Sequence, residues 1–492
     1  MAKKTQEILK ADLVIIGGGG SGLTAAAAAL ECGIKNIIVI EKRAKVGGNA
    51  VYPAGLLAVN TPLQRQLGMD ASTDVVFKHA VTYGHWKNNP RLLRVLIDKS
   101  ADTIQWLENK GLKFNEIITH YPNQFPNTYH VADGSEGTGQ QIINALNSQC
   151  LKAGVKFLFN TKAKRILLDN INRVAGIIVG KSGNREIEIK TACIIICTGG
   201  FSGNEKLIRK YDPTYRKKLV PPRGLPNDGD GIKMATEVGA DLDGMVVYEW
   251  EAFCNSSIFL TVLLRRPCTM WVNRKGERYC DEGIMVAVEA ANALSRQPGK
   301  ESFTIFDESI KNRMLKDRLN PFEAFFLEGE ARDRKWSNFA DTTLEDLKNG
   351  LTCDDVKISR SLAEVANWIG AEPEVLKAEV SKYNEFCEHG RDADFAKDNK
   401  HLLPLDNPPY YALRSGIKLT MTHGGIKVNQ RMEVVDKEDS AITGLYAAGV
   451  ETGAKDWDSY NMWLSGHAFG YTMNGGRIAG EEAAKYILGN KI

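Results

Sequence analysis

The patterned part of the chain begins with an apolar run, Leu13–Ile16, in which no polar position interrupts four successive residues. Short and rich in β-branched residues, it predicts a strand. It passes directly into Gly17-Gly18-Gly19-Gly20-Ser21-Gly22 and then Leu23-Thr24-Ala25-Ala26-Ala27-Ala28-Ala29-Leu30, a segment that composition marks as helix. A second run, Asn36-Ile37-Ile38-Val39-Ile40, ends in Glu41. Further on, Cys193-Ile194-Ile195-Ile196-Cys197 leads into Thr198-Gly199-Gly200, and Ile442-Thr443-Gly444-Leu445-Tyr446-Ala447-Ala448-Gly449 repeats the strand-then-glycine theme before a final helix over 466–486. Between about 256 and 405 the glycine clusters thin out and charged, helix-like blocks take over, among them Leu362–Ile369 and 374–387. Buried strands alternating with helices predict an α/β fold.

Strand, glycine turn and helix stand at the start in the order of a dinucleotide-binding βαβ unit. Gly17 permits the tight turn, Gly19 lets backbone approach a pyrophosphate, and Gly22 allows close helix–strand packing, with Gly20 and Ser21 at the helix N-terminus where an anion sits. Glu41, at the end of the second strand, suits ribose hydroxyls and repels a 2′-phosphate. After it, Lys42-Arg43-Ala44-Lys45-Val46-Gly47-Gly48-Asn49 is a basic-to-glycine segment of the kind that closes over flavin phosphates. Three such elements, far apart in sequence, match one large cofactor contacted along its length, which favours FAD over NAD.

Composition narrows the class. At 492 residues, the length suggests two or three units at roughly 100–200 residues each. Lys+Arg 63 against Asp+Glu 60 rules out a protein built mainly to coat nucleic acid or an acidic membrane. Charged residues at 25% and apolar ones at 43% exclude a mostly disordered chain. The nine cysteines contain no Cys-x-x-Cys, so redox-dithiol and zinc-ribbon spacings are absent, and the histidines show no metal-ligand spacing. No stretch approaches the ~20 apolar residues of a membrane span, and Met1-Ala2-Lys3-Lys4-Thr5 starts no signal core. The expectation is a reduced, cytoplasmic protein.

Over nearly its whole length the chain resembles the FAD-dependent fumarate reductase/succinate dehydrogenase flavoprotein family, in its soluble single-chain branch. Gly47-Gly48-Asn49 resembles the family's loop after the ribose site, and Asn227-Asp228-Gly229-Asp230-Gly231-Ile232 its Gly-Asp-Gly-Ile helix start. Val272-Asn273-Arg274-Lys275-Gly276-Glu277-Arg278-Tyr279 resembles the entry to its cap, and Thr422-His423-Gly424-Gly425-Ile426 its return strand. The resemblance implies a discontinuous Rossmann-type (two-dinucleotide-binding) FAD domain over 1–255 and 406–492, with an inserted α+β substrate-capping domain over 256–405. It also implies cofactor contacts at Ala50, Ala54, Gly55, Ala163, Thr198, Gly199, Gly200, His423, Gly424, Gly449, Glu451, Ser465, Gly466 and Ala468. The covalent-flavin histidine of the membrane complexes has no counterpart, Asn49-Ala50-Val51 standing at that place, so the FAD is expected to be non-covalent.

Three departures bear on substrate. Where fumarate reductases carry the proton-delivering Arg of Thr-Thr-Arg-Asp, this chain reads Gly283-Ile284-Met285-Val286-Ala287. Their closing Asn-Arg-Leu-Gly-Gly-Asn-Ala becomes Met462-Trp463-Leu464-Ser465-Gly466-His467-Ala468, and their His-Thr-Met-Gly-Gly becomes Met421-Thr422-His423-Gly424-Gly425. A C4 dianion needs fixed, bidentate cations, so fumarate is disfavoured. The resemblance gathers Tyr460, Trp463, Tyr248, Trp250 and His467 around the substrate face and, as in the similar 3-ketosteroid dehydrogenases, points to a cyclic enone or an aromatic enoate. Tyr460 is expected to exchange the proton, His423 to donate on the carbonyl side, and Arg278 to supply charge at the cap. A donor to the carbonyl oxygen stabilises the developing enolate. No second Gly-x-Gly-x-x-Gly unit offers a nicotinamide site, so a small flavin, a quinone or a redox protein is the expected electron partner. A fumarate-type dicarboxylate reductase and an electron-transfer flavoprotein subunit are the competing readings.

Overall fold

A computed structural model describes residues 7–69, 71–118, 128–134, 136–181, 185–213, 215, 225, 227–253, 260, 263–264, 266–284, 288–317, 339–456, 460–461 and 463–489. The chain divides into two compact units, one comprising Met1–Tyr215, Gly224–Val247 and Met421–Ile492, the other Arg216–Arg223 and Tyr248–Thr420.

The first unit is built on a six-stranded sheet in the order Glu433–Val435, Ala441–Ala447, Ile194–Ile196, Leu13–Ile16, Ile37–Ile40, Lys156–Leu158. All neighbours are parallel except the first pair. Leu13–Ile16 therefore lies inside the sheet, and all four of its side chains are buried, as an unbroken apolar run requires. Its central position puts the turn at Gly17 at the carboxyl end of the strands, where open α/β sheets bind ligands. The helix Gly20–Glu31 follows, and the long C-terminal helix His467–Gly489 packs on it. A Cβ at Gly480 would stand 2.4 Å from the Ala25 carbonyl oxygen, and one at Gly476 would stand 2.6 Å from that of Ser21. The alanine run thus has a packing reason beyond propensity, since small residues on both helices let the backbones approach.

Two further sheets belong to this unit. One runs Glu7–Lys10, Arg185–Lys190, Val174–Lys181, Thr161–Leu168, and the other Leu56–Leu57, Tyr129–Ala132, Phe114–Ile118.

The second unit is α+β. Its sheet orders Leu242–Phe253, Tyr410–Ile426, Glu301–Asp307 and Met270–Val272, with Val356–Ser359 also pairing to Tyr410–Ile426. Two of the boundaries between the units, after Val247 and after Thr420, fall within the long strands Leu242–Phe253 and Tyr410–Ile426. Helices Leu362–Ile369 and Pro373–His389 contribute to an apolar core that includes Phe303, Phe306, Val365, Leu376, Tyr383 and Leu413. Among the described residues, no helix is long and apolar enough to cross a membrane. The chain is thus α/β, with a discontinuous Rossmann-type domain and an inserted α+β one.

Candidate functional site

The turn after Leu13–Ile16 separates two kinds of glycine. Gly17 has φ +109°, and a Cβ there would stand 2.1 Å from the Cys197 carbonyl oxygen. A Cβ at Gly22 would stand 1.9 Å from the Gly17 carbonyl oxygen. Backbone geometry and packing alone demand these two. Gly19 differs, because its φ of −82° suits any residue and an added Cβ would meet nothing closer than 3.9 Å. Space is thereby left in front of a helix whose N-terminus has no side-chain cap, where free N–H groups and the helix dipole favour an anion. Gly47 and Gly48 border that space. The Gly47 N–H donates to the Gly18 carbonyl at 2.8 Å, and a Cβ at Gly48 would come no nearer than 3.7 Å to Gly19 Cα. Ala50 closes one side, 2.8 Å from where a Cβ on Gly20 would lie. A dinucleotide pyrophosphate fits this cradle.

Glu41 is buried beside it. Its Oε2 accepts the Gly18 N–H at 2.9 Å and its Oε1 the Arg43 N–H at 2.8 Å. Each oxygen keeps a second lone pair for a ribose hydroxyl. Lys42 turns to two acids, with Nζ 2.8 Å from Asp228 Oδ2 and 3.3 Å from Asp230 Oδ2. Hydrogen bonding to Lys42, against a weaker opposing burial, holds the Asp228 carboxyl below its ordinary range. The Asn49 amide pairs with the Leu225 backbone in both directions, at 2.9 and 2.6 Å. Asn227 packs against Gly199, and Gly229, in the left-handed region, caps the helix Asp230–Glu237.

Glu451 is fully buried. It accepts the Thr198 hydroxyl at 2.5 Å and the Gly199 N–H at 3.1 Å. Burial pushes its pKa up to about 8 against these donors. Lys455, whose ammonium donates to the Gly449 carbonyl and to Thr452 Oγ1, is pulled down to about 8 by the same cause. Gly200 meets Thr422, whose hydroxyl accepts the Phe201 N–H at 2.8 Å, and Gly424 lies against the Gly244 carbonyl. Gly449 faces Ser21, and Gly466 packs on Tyr129 and Leu57. Ala54 and Gly55 donate their N–H groups to the Tyr129 phenol oxygen. Ala163 is buried in the strand Thr161–Leu168, and the Ser465 carbonyl accepts the Thr128 hydroxyl at 3.5 Å.

Next to this cradle in the chain, a buried polar cluster forms around Asp456. Its Oδ2 lies 2.9 Å from His423 Nδ1 and 3.0 Å from His467 Nε2. The other nitrogen of His467, Nδ1, is 2.7 Å from the Leu464 carbonyl oxygen. Both ring nitrogens of His467 therefore lie within hydrogen-bond distance of an oxygen. Burial opposes ionisation of Asp456, but His467 and His423 outweigh it and hold the carboxyl far below its usual range. His423 itself is lowered by burial, against the pull of Asp456.

Tyr460 stacks obliquely on His467, with ring centroids 4.3 Å apart, and meets His423 edge-on at 5.6 Å. Its phenol oxygen accepts the Ala468 N–H, and burial followed by the negative Asp456 keeps its proton on, raising its pKa. Trp463 is half-buried in the same loop. Tyr471 adds a further ring 5.5 Å from His467.

Arg278 is placed elsewhere, in the second unit. Its guanidinium is sealed there, 2.9 Å from both Glu282 Oε2 and Asp392 Oδ2, with Lys397 Nζ 3.2 Å from Glu282. The rings of Tyr383 and Phe395 cover it. Its surroundings make it a structural ion-pair residue, which corrects the expectation of charge offered to substrate. The side chains of Tyr248 and Trp250, together with Met285-Val286-Ala287 and Met462, lie outside the described residues. Sequence reasoning missed Asp456, Lys455 and Tyr471. Among the described residues no group of His, Cys, Asp and Glu could hold a metal.

The FAD binding domain family matches residues 12–459. The chain is 27% identical over 490 residues to the vinyl phenol reductase of Lactiplantibacillus plantarum, covering 96% of each. Among solved structures, the open conformation of a flavocytochrome c3 fumarate reductase matches with a TM-score of 0.75 at 25% identity, over 98% of this chain and 79% of that one. The 3-ketosteroid-Δ4-(5α)-dehydrogenase from Rhodococcus jostii RHA1 has the same fold, with a TM-score of 0.74 at 21% identity over 98% of each chain. The chain therefore belongs to the FAD binding domain family, among its fumarate reductase-like FAD-dependent oxidoreductases.

Proposed function

We propose that this protein is a non-covalent FAD enzyme that reduces, or introduces, a C=C bond activated by a conjugated carbonyl, on a cyclic enone or an aromatic enoate rather than on fumarate. The observation that carries the reading is the composition of the cluster beside the cradle: a carboxylate between two imidazoles, ringed by Tyr460 and Tyr471. The fumarate reductase arginine has no equivalent at Trp463, so no bidentate cation for a second carboxylate stands at that position. The flavin, when bound, supplies or takes the hydride.

The chain's residues have three tasks. Gly17, Gly19, Gly22 and Glu41, with Gly47, Gly48 and Asn49, hold the nucleotide. Thr198, Gly199, Gly449 and Glu451 border the remainder of the cofactor. Tyr460 exchanges a proton with the substrate carbon, and His423, oriented by Asp456, is the second proton carrier. The unit containing 256–405 serves as the substrate-capping domain, and a small flavin, a quinone or a redox protein is the electron partner. Support also comes from relatives named for the reduction of small alkenes, vinyl phenol reductase among them.

The test is stopped-flow reoxidation of dithionite-reduced holoenzyme by fumarate, urocanate, cinnamates and cyclic enones. Reoxidation by a cinnamate or enone, at one turnover per FAD, is expected. Rapid reoxidation by fumarate overturns the substrate assignment, and reoxidation only by a partner protein overturns the enzyme reading. Tyr460→Phe is expected to slow turnover roughly tenfold or more with FAD retained.

A further inference from the structure

Tyr460 is followed in the chain by a side chain that the fold satisfies at one end only. Asn461 is 2% exposed. Its Oδ1 lies 3.4 Å from His79 Nε2, whereas its Nδ2 meets no hydrogen-bond partner among the described residues. An amide nitrogen carries two N–H donors, and leaving a buried donor unmade is costly. That end of the amide marks a place for an acceptor from outside the chain.

The fold holds this dipeptide still. On the helix Thr73–Tyr83, His79 and Tyr83 stand four residues apart and so share a face. The Tyr83 hydroxyl donates to the Tyr460 carbonyl oxygen at 3.3 Å, and His79 meets the Asn461 side chain. The Asn461 carbonyl in turn accepts the Leu464 N–H at 3.2 Å. Burial lowers the His79 pKa, against its contact with Asn461, so the ring beside the amide is neutral at pH 7. The Tyr460 ring meanwhile packs on His467 and His423. Asn461 is therefore one peptide bond from the side chain assigned the substrate's proton. Making or reducing a C=C bond beside a carbonyl places negative charge on the carbonyl oxygen, and a preorganised N–H aimed at that oxygen stabilises it.

We propose that Asn461 Nδ2 donates a hydrogen bond to the carbonyl oxygen of the substrate and stabilises the enolate that develops there. His79 is the positioning residue, fixing the amide through its oxygen. Tyr460 and Asn461 then serve neighbouring parts of one conjugated system, the carbon that exchanges the proton and the oxygen that carries the charge. No proton passes to or from the amide. The inference rests on the reading of the chain as a flavoenzyme acting on a carbonyl-activated C=C bond, and it adds a catalytic residue to that reading.

The test uses FAD-loaded, oxidised enzyme with 2-cyclohexenone and methyl cinnamate, which oxidised flavin cannot reduce. Each is isotopically labelled at the carbonyl carbon, so that difference infrared spectra report its C=O stretch. In the wild type the stretch of at least one is expected at lower wavenumber than in Asn461→Leu or Asn461→Ala, with FAD retained in both variants. His79→Leu is expected to move the stretch the same way and His79→Gln to restore it, a response that a purely structural role of His79 does not give. Reoxidation of the reduced Asn461 variants by the same compound should be roughly a hundredfold slower than that of wild type. The Tyr471 hydroxyl is the other buried donor of the cluster without a partner among the described residues. A stretch that moves in Tyr471→Phe but not in the Asn461 variants overturns the inference, as does binding of neither compound. If the reduced wild type is still reoxidised by an enone or cinnamate, the broader reading stands. If no alkene reoxidises the flavin, that reading fails as well.

Discussion

Glu41 Oε2 accepts the backbone N–H of Gly18 at 2.9 Å, tying the end of the second strand to the glycine turn that follows the first. Its other oxygen holds the Arg43 N–H at 2.8 Å. The carboxylate thus shapes the cradle before any ribose reaches it. Glu41→Ala leaves two backbone donors without their acceptor and removes the ribose partner. At roughly 1–3 kcal/mol for such a loss, FAD affinity should fall about tenfold or more, read as the FAD-to-protein ratio after desalting and as a Kd by flavin fluorescence quenching. Unchanged FAD retention would remove Glu41 from the cofactor site.

The contrast between Gly17 and Gly19 separates packing from ligand binding. Gly17→Ala forces a Cβ to within 2.1 Å of the Cys197 carbonyl oxygen and is expected to prevent stable folding. Gly19→Ala meets no protein atom within 3.9 Å and has an ordinary φ, so its apoprotein should melt within a few degrees of wild type. Its methyl stands where the pyrophosphate approaches, and FAD affinity should drop by about tenfold or more. Apoprotein melting by circular dichroism and FAD titration together decide it, since an intact Tm with intact affinity would contradict the cradle.

How much of this was legible in the sequence depended on periodicity. The runs Leu13–Ile16 and Ile194–Ile196 are apolar on both faces because they lie inside a parallel sheet, and that burial is written in the residues themselves. Gly17 and Gly22 are equally legible, because backbone geometry admits nothing else there. Asp456 was not. It stands in Lys455-Asp456-Trp457, a stretch with no periodic pattern, and it acquires its role only when the fold brings His423, from the end of a 17-residue strand, to the same oxygen that His467 reaches. Arg278 shows the reverse error. Its motif resembles a functional one, yet the carboxylates that neutralise it, Glu282 and Asp392, come from positions whose convergence no local pattern reveals.

That network in the second unit makes its own prediction. Glu282 accepts from Arg278, Lys397 and the Trp271 N–H with its side chain fully buried. Glu282→Ala leaves a guanidinium and an ammonium buried beside an unpaired amide. Removing one partner of a buried ion pair costs about 3–5 kcal/mol, so a clear fall in Tm is expected, with wild-type stability only partly regained by Glu282→Gln. A change of less than a degree in both variants would show that solvent reaches the network.

Glu451 sets a pH dependence whose sign can be worked out. Burial raises its folded-state pKa from 4.5 to about 8, with the donors Thr198 and Gly199 and the charge of Lys455 opposing. Between those values the folded chain holds a proton that the unfolded chain has released. Stability from this group is therefore fully present below pH about 4.5 and is lost as pH rises through about 8. Lys455, pulled down to about 8 from 10.5, works the other way above that pH, because there the unfolded chain binds the extra proton. The pair together should place a shallow minimum of apoprotein stability near pH 8. Glu451→Gln replaces the protonated carboxyl with a neutral group of the same shape, so the decline between pH 5 and 8 should flatten while the rise above pH 8 remains. Denaturant midpoints of wild type and variant at half-unit pH intervals measure this directly. A wild-type midpoint that climbs from pH 5 to 8 would mean that Glu451 is ionised throughout, held by Thr198, Gly199 and Lys455 more strongly than burial opposes them.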